Sequence, residues 1–196
     1  MDKDLYRRVL AGAMPHLEET VQGAGFWLAK PEQYDSPIEY AMAVAMHVLT
    51  EISFPHIHHL SLFGETDDQC ARYVLTAISP SSAAVFPQVR IGRFVVDFFV
   101  AYDKGDGTTG GIVIECDGHD FHEKTKEQAA HDKARDRDLQ SRGYRVFRFT
   151  GSEIHRDPVA CVYEAFIVVA CELGNALIAR SELRAIAAAK QTVRSA

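Results

Sequence analysis

Cysteine is scarce and scattered along this chain. Cys70, Cys116, Cys161 and Cys171 are its four cysteines, they stand far apart, and no two form a CxxC pair. Reduced thiols in a cytoplasmic protein are the simplest reading. Long apolar runs are missing too. None approaches the ~20 residues that span a bilayer, and the longest stretch, Val159 to Ala170, is interrupted by Tyr163 and Glu164. The first residues, MDKDLYRRVLAG, carry charges where a secretory signal needs an apolar run. No membrane association is expected. Positive charge is not in excess either. The net charge is −6, which excludes a broad basic coat for nucleic acid and leaves room only for a local basic groove.

What is present is enough for a core. The 196 residues are 47% hydrophobic and 24% charged, the composition of a globular domain. Residues 3–29 look helical but are broken at Pro15 and around Gly23 and Gly25. Ser36-Pro37-Ile38-Glu39 reads as an N-cap, a proline at the first helical position and a capping-box glutamate, so a helix is expected from there to about Glu51. Residues 52–65 show no clean period and read as an irregular connection. Thr66 or Asp67 can cap a second helix, which Pro80 and the neighbouring serines end near Ser79.

The period then changes. Val85–Ile91, Phe94–Ala101 and Ile112–Asp117 read as an antiparallel meander, with turn chemistry over 103–110. Residues 124–142 read as a charged amphipathic helix with Gly143 just past its end. Arg145–Thr150 is a fourth strand, and the helical crossover sets it parallel to the third. An apolar helix from Pro158 to about Leu173 and a last helix follow. The expected fold is α/β, with a mixed four-stranded central sheet flanked by helices. Residues 1–35 form an N-terminal helical extension in this division, 36–157 the core, and 158–196 C-terminal helices packed on it.

Acids sit where the core strands should be apolar. Asp97 interrupts the sequence FVVDFFV, and Glu115 and Asp117 share one strand face at the end of GGIVIECD. A lone carboxylate in a core strand is costly unless it is paired, protonated or bound to a cation. The hairpin can bring Asp97 beside Glu115, and a hard divalent cation would relieve three converging carboxylates. The other reading is a structural network in which the acids pair with Arg90, Arg93, Arg145 or Arg148. His119 and His122 follow at once and could move a proton, or be solvated loop side chains. Lys124 and Lys126 open the next helix and could hold a phosphate. Arg135, among balanced charges on that helix, could touch a nucleic-acid backbone, although most charges there suit i,i+4 pairs. Glu39 is accounted for by its capping box alone. His56, His58 and His59 in FPHIHH lack a cysteine partner and helical spacing, so zinc is discounted.

Residues 85–149 carry a recognisable set. It runs through Pro87-Gln88-Val89, Gly92-Arg93, Val96-Asp97-Phe98 and Ile114-Glu115-Cys116-Asp117-Gly118 with His122. It continues in Asp132, Arg135-Asp136, Leu139, Gly143-Tyr144-Arg145-Val146 and Arg148-Phe149. This set resembles the PD-(D/E)xK nuclease superfamily, and more closely its very-short-patch-repair endonuclease-like branch with uncharacterised bacterial relatives. Ser36-Pro37-x-Glu39 resembles the first-helix acid of the same group.

The resemblance implies a restriction-endonuclease-like core and metal-dependent cleavage of DNA phosphodiesters, in repair or restriction. Asp97, Glu115 and the Cys116 carbonyl would hold Mg²⁺, for which Mn²⁺ can substitute, and Asp117 would join them. His122 falls where repair endonucleases of this branch place a catalytic histidine. The superfamily's usual lysine, two residues after the glutamate, is Asp117 here, which leaves the charge-stabilising group open; Lys124 or Lys126 could supply it from the helix. A non-catalytic nucleic-acid-binding or assembly module that keeps the fold is the alternative, and a hydrolase of small phosphorylated substrates a third. Oligomeric state is left open.

Overall fold

A computed structural model describes residues 33–60, 62–78, 80–118 and 126–194. Among the described residues five strands form one open, mixed sheet in the order β1-β2-β3-β4-β5. These are β1 (Ile57–His59), β2 (Ala83–Ile91), β3 (Phe94–Asp103), β4 (Thr109–Asp117) and β5 (Arg145–Thr150). β2, β3 and β4 are antiparallel neighbours, and β5 runs parallel to β4, as the meander and the helical crossover predict. The sheet has five strands rather than four. β1 lies in the stretch read as irregular and pairs parallel with the start of β2. Three residues are too few to show alternation, and only the neighbouring strand makes them extended.

The helices among the described residues are α1 (Pro37–Ile52), α2 (Asp67–Thr76), α3 (Lys126–Ser141), α4 (Gly151–Arg156) and α5 (Pro158–Arg194). Thr66 caps α2, in a full capping box with Gln69. Thr150 and Glu153 form another at α4, a helix that the sequence reading lacks. The segment from Pro158 onward is one helix rather than two, because no proline interrupts it and Gly174 alone does not break it. Pro158–Glu182 within α5 is long and apolar enough to cross a bilayer by length and composition. Its Val162, Ala165, Phe166, Val169 and Leu173 are buried in the core shared with α1.

Two apolar layers sandwich the sheet. One joins α1 and α5 to Val85, Phe98, Val100, Ile112 and Ile114. The other joins Cys70 and Val74 of α2 and Leu139 of α3 to Phe86, Phe99, Ala101 and Val113. β4 begins three residues earlier than the sequence suggests, at Thr109, and so includes the pair Gly110 and Gly111. Glycines weaken a strand unless something fills their place. Here the rings of β3 do so: a Cβ on Gly111 would meet Phe99 at 2.4 Å, and one on Gly110 would meet Tyr102 at 2.2 Å.

The β1 edge carries a pH-sensitive group. His59 is partly buried against His47, ring centroids 6.0 Å apart, and its Nε2 is out of solvent with no partner among the described residues. Burial, and then His47, push this imidazole down to about 3. The unfolded chain, with an ordinary histidine, therefore binds the extra proton between pH 6.5 and about 3. The stability this site contributes is complete above pH 6.5 and is lost as pH falls through that window. Lowering pH from 7 to 5 should cost about 2 kcal/mol at this position. Urea unfolding of the wild type and His59→Phe at both pH values checks it, and equal pH dependence in the two would refute the assignment.

Candidate active site

The acids collect where the sheet comes apart. β3 and β4 are paired as far as Phe98↔Ile114, and the next opposed residues would be Asp97 and Glu115. There the backbone ladder stops. The N–H of Cys116 donates instead to Asp97 Oδ2, at 2.6 Å. A side-chain carboxylate thus takes the place of a main-chain acceptor, satisfying a donor that the separating strands would leave orphaned. Glu115 lies beside it, only 4% exposed.

Glu39 reaches the same place from the first turn of α1. Ser36 caps the helix, accepting from the Glu39 N–H, but the reciprocal bond differs from a standard capping box. The Glu39 carboxylate accepts from the Asp35 N–H at 3.2 Å and from the Ser36 hydroxyl at 2.8 Å. Its Oε2 also accepts from Gln88 Nε2 at 2.8 Å. Glu39 is therefore more than a cap: it is a buried acid that faces Asp97 electrostatically.

Proton affinities reflect the crowding. Burial, and then the Asp97 charge, push Glu115 up to about 8, while Arg135 and Arg148 pull against the shift. Burial, and then Asp97, likewise raise Glu39 to about 7. Asp97 itself is raised, chiefly by burial, and held back by the Cys116 N–H and Arg135. Carboxylates shifted this way hold charge only when a positive partner is present.

Two arginines supply part of that charge. Arg135 of α3 donates from Nη2 to Glu115 Oε1 at 2.6 Å and to the Val95 carbonyl at 2.5 Å. Arg148 of β5 bridges Asp117, at 3.0 Å, and Asp136 of α3, at 2.7 Å. Of the arginines weighed as structural partners only Arg148 takes that role among these contacts. Arg145 pairs with Glu172 of α5, and Arg93 lies over the Phe94 ring. Arg135, predicted from sequence as a contact to nucleic acid, pairs with Glu115. Its Nε is buried with no partner among the described residues.

Asp97 thus lies within electrostatic reach of Glu39, Glu115 and Asp117, with Cys116 between the last two in sequence. His119, His122 and Lys124 lie outside the described residues, and Lys126 begins α3. Among the described residues no group of three or more His, Cys, Asp or Glu side chains stands ready-made as a metal cage. The donors available from Asp97, Glu115 and Asp117 are all carboxylate oxygens, the set that suits a hard divalent ion. Gln88 and the Arg135–Glu115 pair were missed in the sequence. Gln88 could have been found from hairpin register, since it stands opposite Asp97.

A mixed sheet between helical layers, with buried acids at the fork of β3 and β4, defines an α/β protein compatible with the restriction-endonuclease-like fold. The family model REase_MTES_1575, a restriction endonuclease-like family, matches residues 71–166. This match supports the PD-(D/E)xK nuclease superfamily but does not single out the very-short-patch-repair branch. No curated protein and no solved structure matches the chain.

Proposed function

We propose that this chain is a metal-dependent endonuclease that hydrolyses DNA phosphodiester bonds, in repair or restriction. The observation that carries the reading is the meeting of half-buried Asp97 and buried Glu115 at the β3–β4 fork, within the stretch matched by the nuclease family model. Asp97, Glu115, Asp117 and the Cys116 carbonyl would hold Mg²⁺, with Mn²⁺ able to substitute. When bound, such an ion polarises the phosphate and lowers the pKa of an attacking water. Burial, and then the Asp97 charge, raise the proton affinities of Glu39 and Glu115, and a cation among the acids would favour their ionised forms. Arg135 and Arg148 keep local charge balanced and set the directions of Glu115 and Asp117. His122 is the group proposed to move a proton, with Lys124 or Lys126 stabilising the phosphate.

One observation favours a second reading. Glu115 and Asp117 already have arginine partners, as they would in a non-catalytic module that keeps the fold and binds nucleic acid. Cleavage of plasmid, single-stranded DNA and RNA with Mg²⁺ or Mn²⁺ separates the two. Metal-dependent cutting of DNA is expected, and none with either ion would favour the module. His122→Ala should lower turnover about a hundredfold, the range of general acid–base groups, with affinity in Ca²⁺ little changed. Normal turnover in that variant would remove His122 from the chemistry. Binding should be weak without metal and only shallowly salt-dependent, because a chain of net charge −6 neutralises few phosphates. Tight, steeply salt-dependent binding without metal would contradict this.

A further inference from the structure

We propose that Gln88 is a positioning residue of the acidic site, holding the Glu39 carboxylate toward Asp97, an inference that rests on the nuclease reading above. The backbone speaks first. Gln88 sits inside β2 at φ 51°, in the left-handed region that non-glycine residues seldom adopt. On either side of it the hairpin is in register, with Pro87↔Phe98 and Val89↔Val96 paired. Gln88 and Asp97 are the opposed residues between those two pairs, so both neighbours of β3 leave its ladder at Asp97.

The ribbon also turns over at this point. Phe86 and Ala84 of β2 belong to the layer of α2 and α3, and alternation from them would send Val89 and Ile91 to the other face. Yet Val89 and Ile91 lie in that same layer. β3 does likewise: Phe98 and Val100 pack toward α1 and α5, whereas Val96 packs toward α2 and α3. Gln88 and Asp97 occupy the crossing of the two strands. A local departure from pleat re-aims a side chain, as bulges do near active sites.

The side chain completes the device. From the crossing, Gln88 Nε2 donates to Glu39 Oε2 at 2.8 Å, linking the hairpin to α1 over 49 residues of sequence. Without it, among the described residues, the Glu39 carboxylate keeps its bonds to Asp35 and Ser36, which lie in its own turn and cannot aim it at the sheet. A residue that served the turn alone would be glycine, which adopts this φ without strain. A glutamine there supplies an amide that the turn does not require.

Gln88→Gly tests the proposal because it keeps the turn and deletes the amide. Gln88→Asn tolerates the same φ but is one methylene short of Glu39. Both variants should fold, with Mg²⁺-dependent turnover on a duplex oligonucleotide down about tenfold, the scale of one hydrogen bond to a charged group. KM should stay within about threefold, since a positioning loss falls on turnover. Wild-type turnover in Gln88→Gly would overturn the positioning role. A second measurement needs no activity: urea unfolding of Gln88→Gly, Glu39→Ala and the double variant. The double variant should be more stable than the two separate losses sum to, and strict additivity would overturn the link. A wild type that cuts nothing fails the nuclease reading instead, and the unfolding cycle then decides the Gln88 link alone.

Discussion

Replacing Asp97 by asparagine should abolish metal-dependent cleavage while leaving the fold intact. The asparagine oxygen can still accept the Cys116 N–H that Asp97 Oδ2 holds at 2.6 Å, so the fork between β3 and β4 keeps this direct link. What disappears is the negative charge. A cation held by Asp97, Glu115 and Asp117 would lose one of its three carboxylates, and turnover should fall by about a thousandfold, the upper range for removing one preorganised electrostatic contact. Asp97→Ala should do the same and cost stability as well, because the buried Cys116 N–H is then unpaired. Mg²⁺ should raise the melting temperature of the wild type more than that of either variant. Equal shifts in all three would mean that the acids are structural, and undiminished cutting by Asp97→Asn would end the proposed mechanism.

The largest loss of stability should come from the other end of the same strand. Asp103, 2% exposed, closes β3. Its carboxylate accepts from the Ser81 N–H at 3.0 Å and the Gly105 N–H at 2.7 Å, and pairs with Arg180 of α5. One acid thus ties the hairpin loop, the start of β2 and the long helix together. The approach is close: a Cβ on Gly105, at φ 82°, would lie 2.4 Å from the Ala176 carbonyl. Asp103→Ala strands two backbone donors and an arginine, a loss on the order of 3–5 kcal/mol. In a chain of this size that is a drop of roughly 10 °C in melting temperature. Arg180→Met should cost less, since both backbone donors keep their acceptor. A change below about 1 kcal/mol in Asp103→Ala would show that the helix is not anchored there.

Much of the frame was legible because its signals are local. The caps at Ser36 and Thr66, the short apolar runs of FVVDFFV and IVIECD, and the turn residues after Asp103 each act within a few positions. The parallel β4–β5 pair followed from chain handedness, and the nearness of Asp97 to Glu115 from hairpin register. β1 was not legible, because three residues become a strand only against β2. The additional helix α4 and the unbroken α5 were missed where weak local preferences are settled by packing on the core.

The site divides along the same line. The sequence by itself determined which acids could meet, since a pleated strand must put Glu115 and Asp117 on one face and a tight hairpin must return to Asp97. Tertiary structure alone decided what surrounds them. Arg135 meets Glu115 across 20 residues, Arg148 meets Asp117 across 31, and Gln88 meets Glu39 across 49. No periodicity encodes such pairs, because their cost or gain depends on burial that exists only once the sheet and both helical layers have closed.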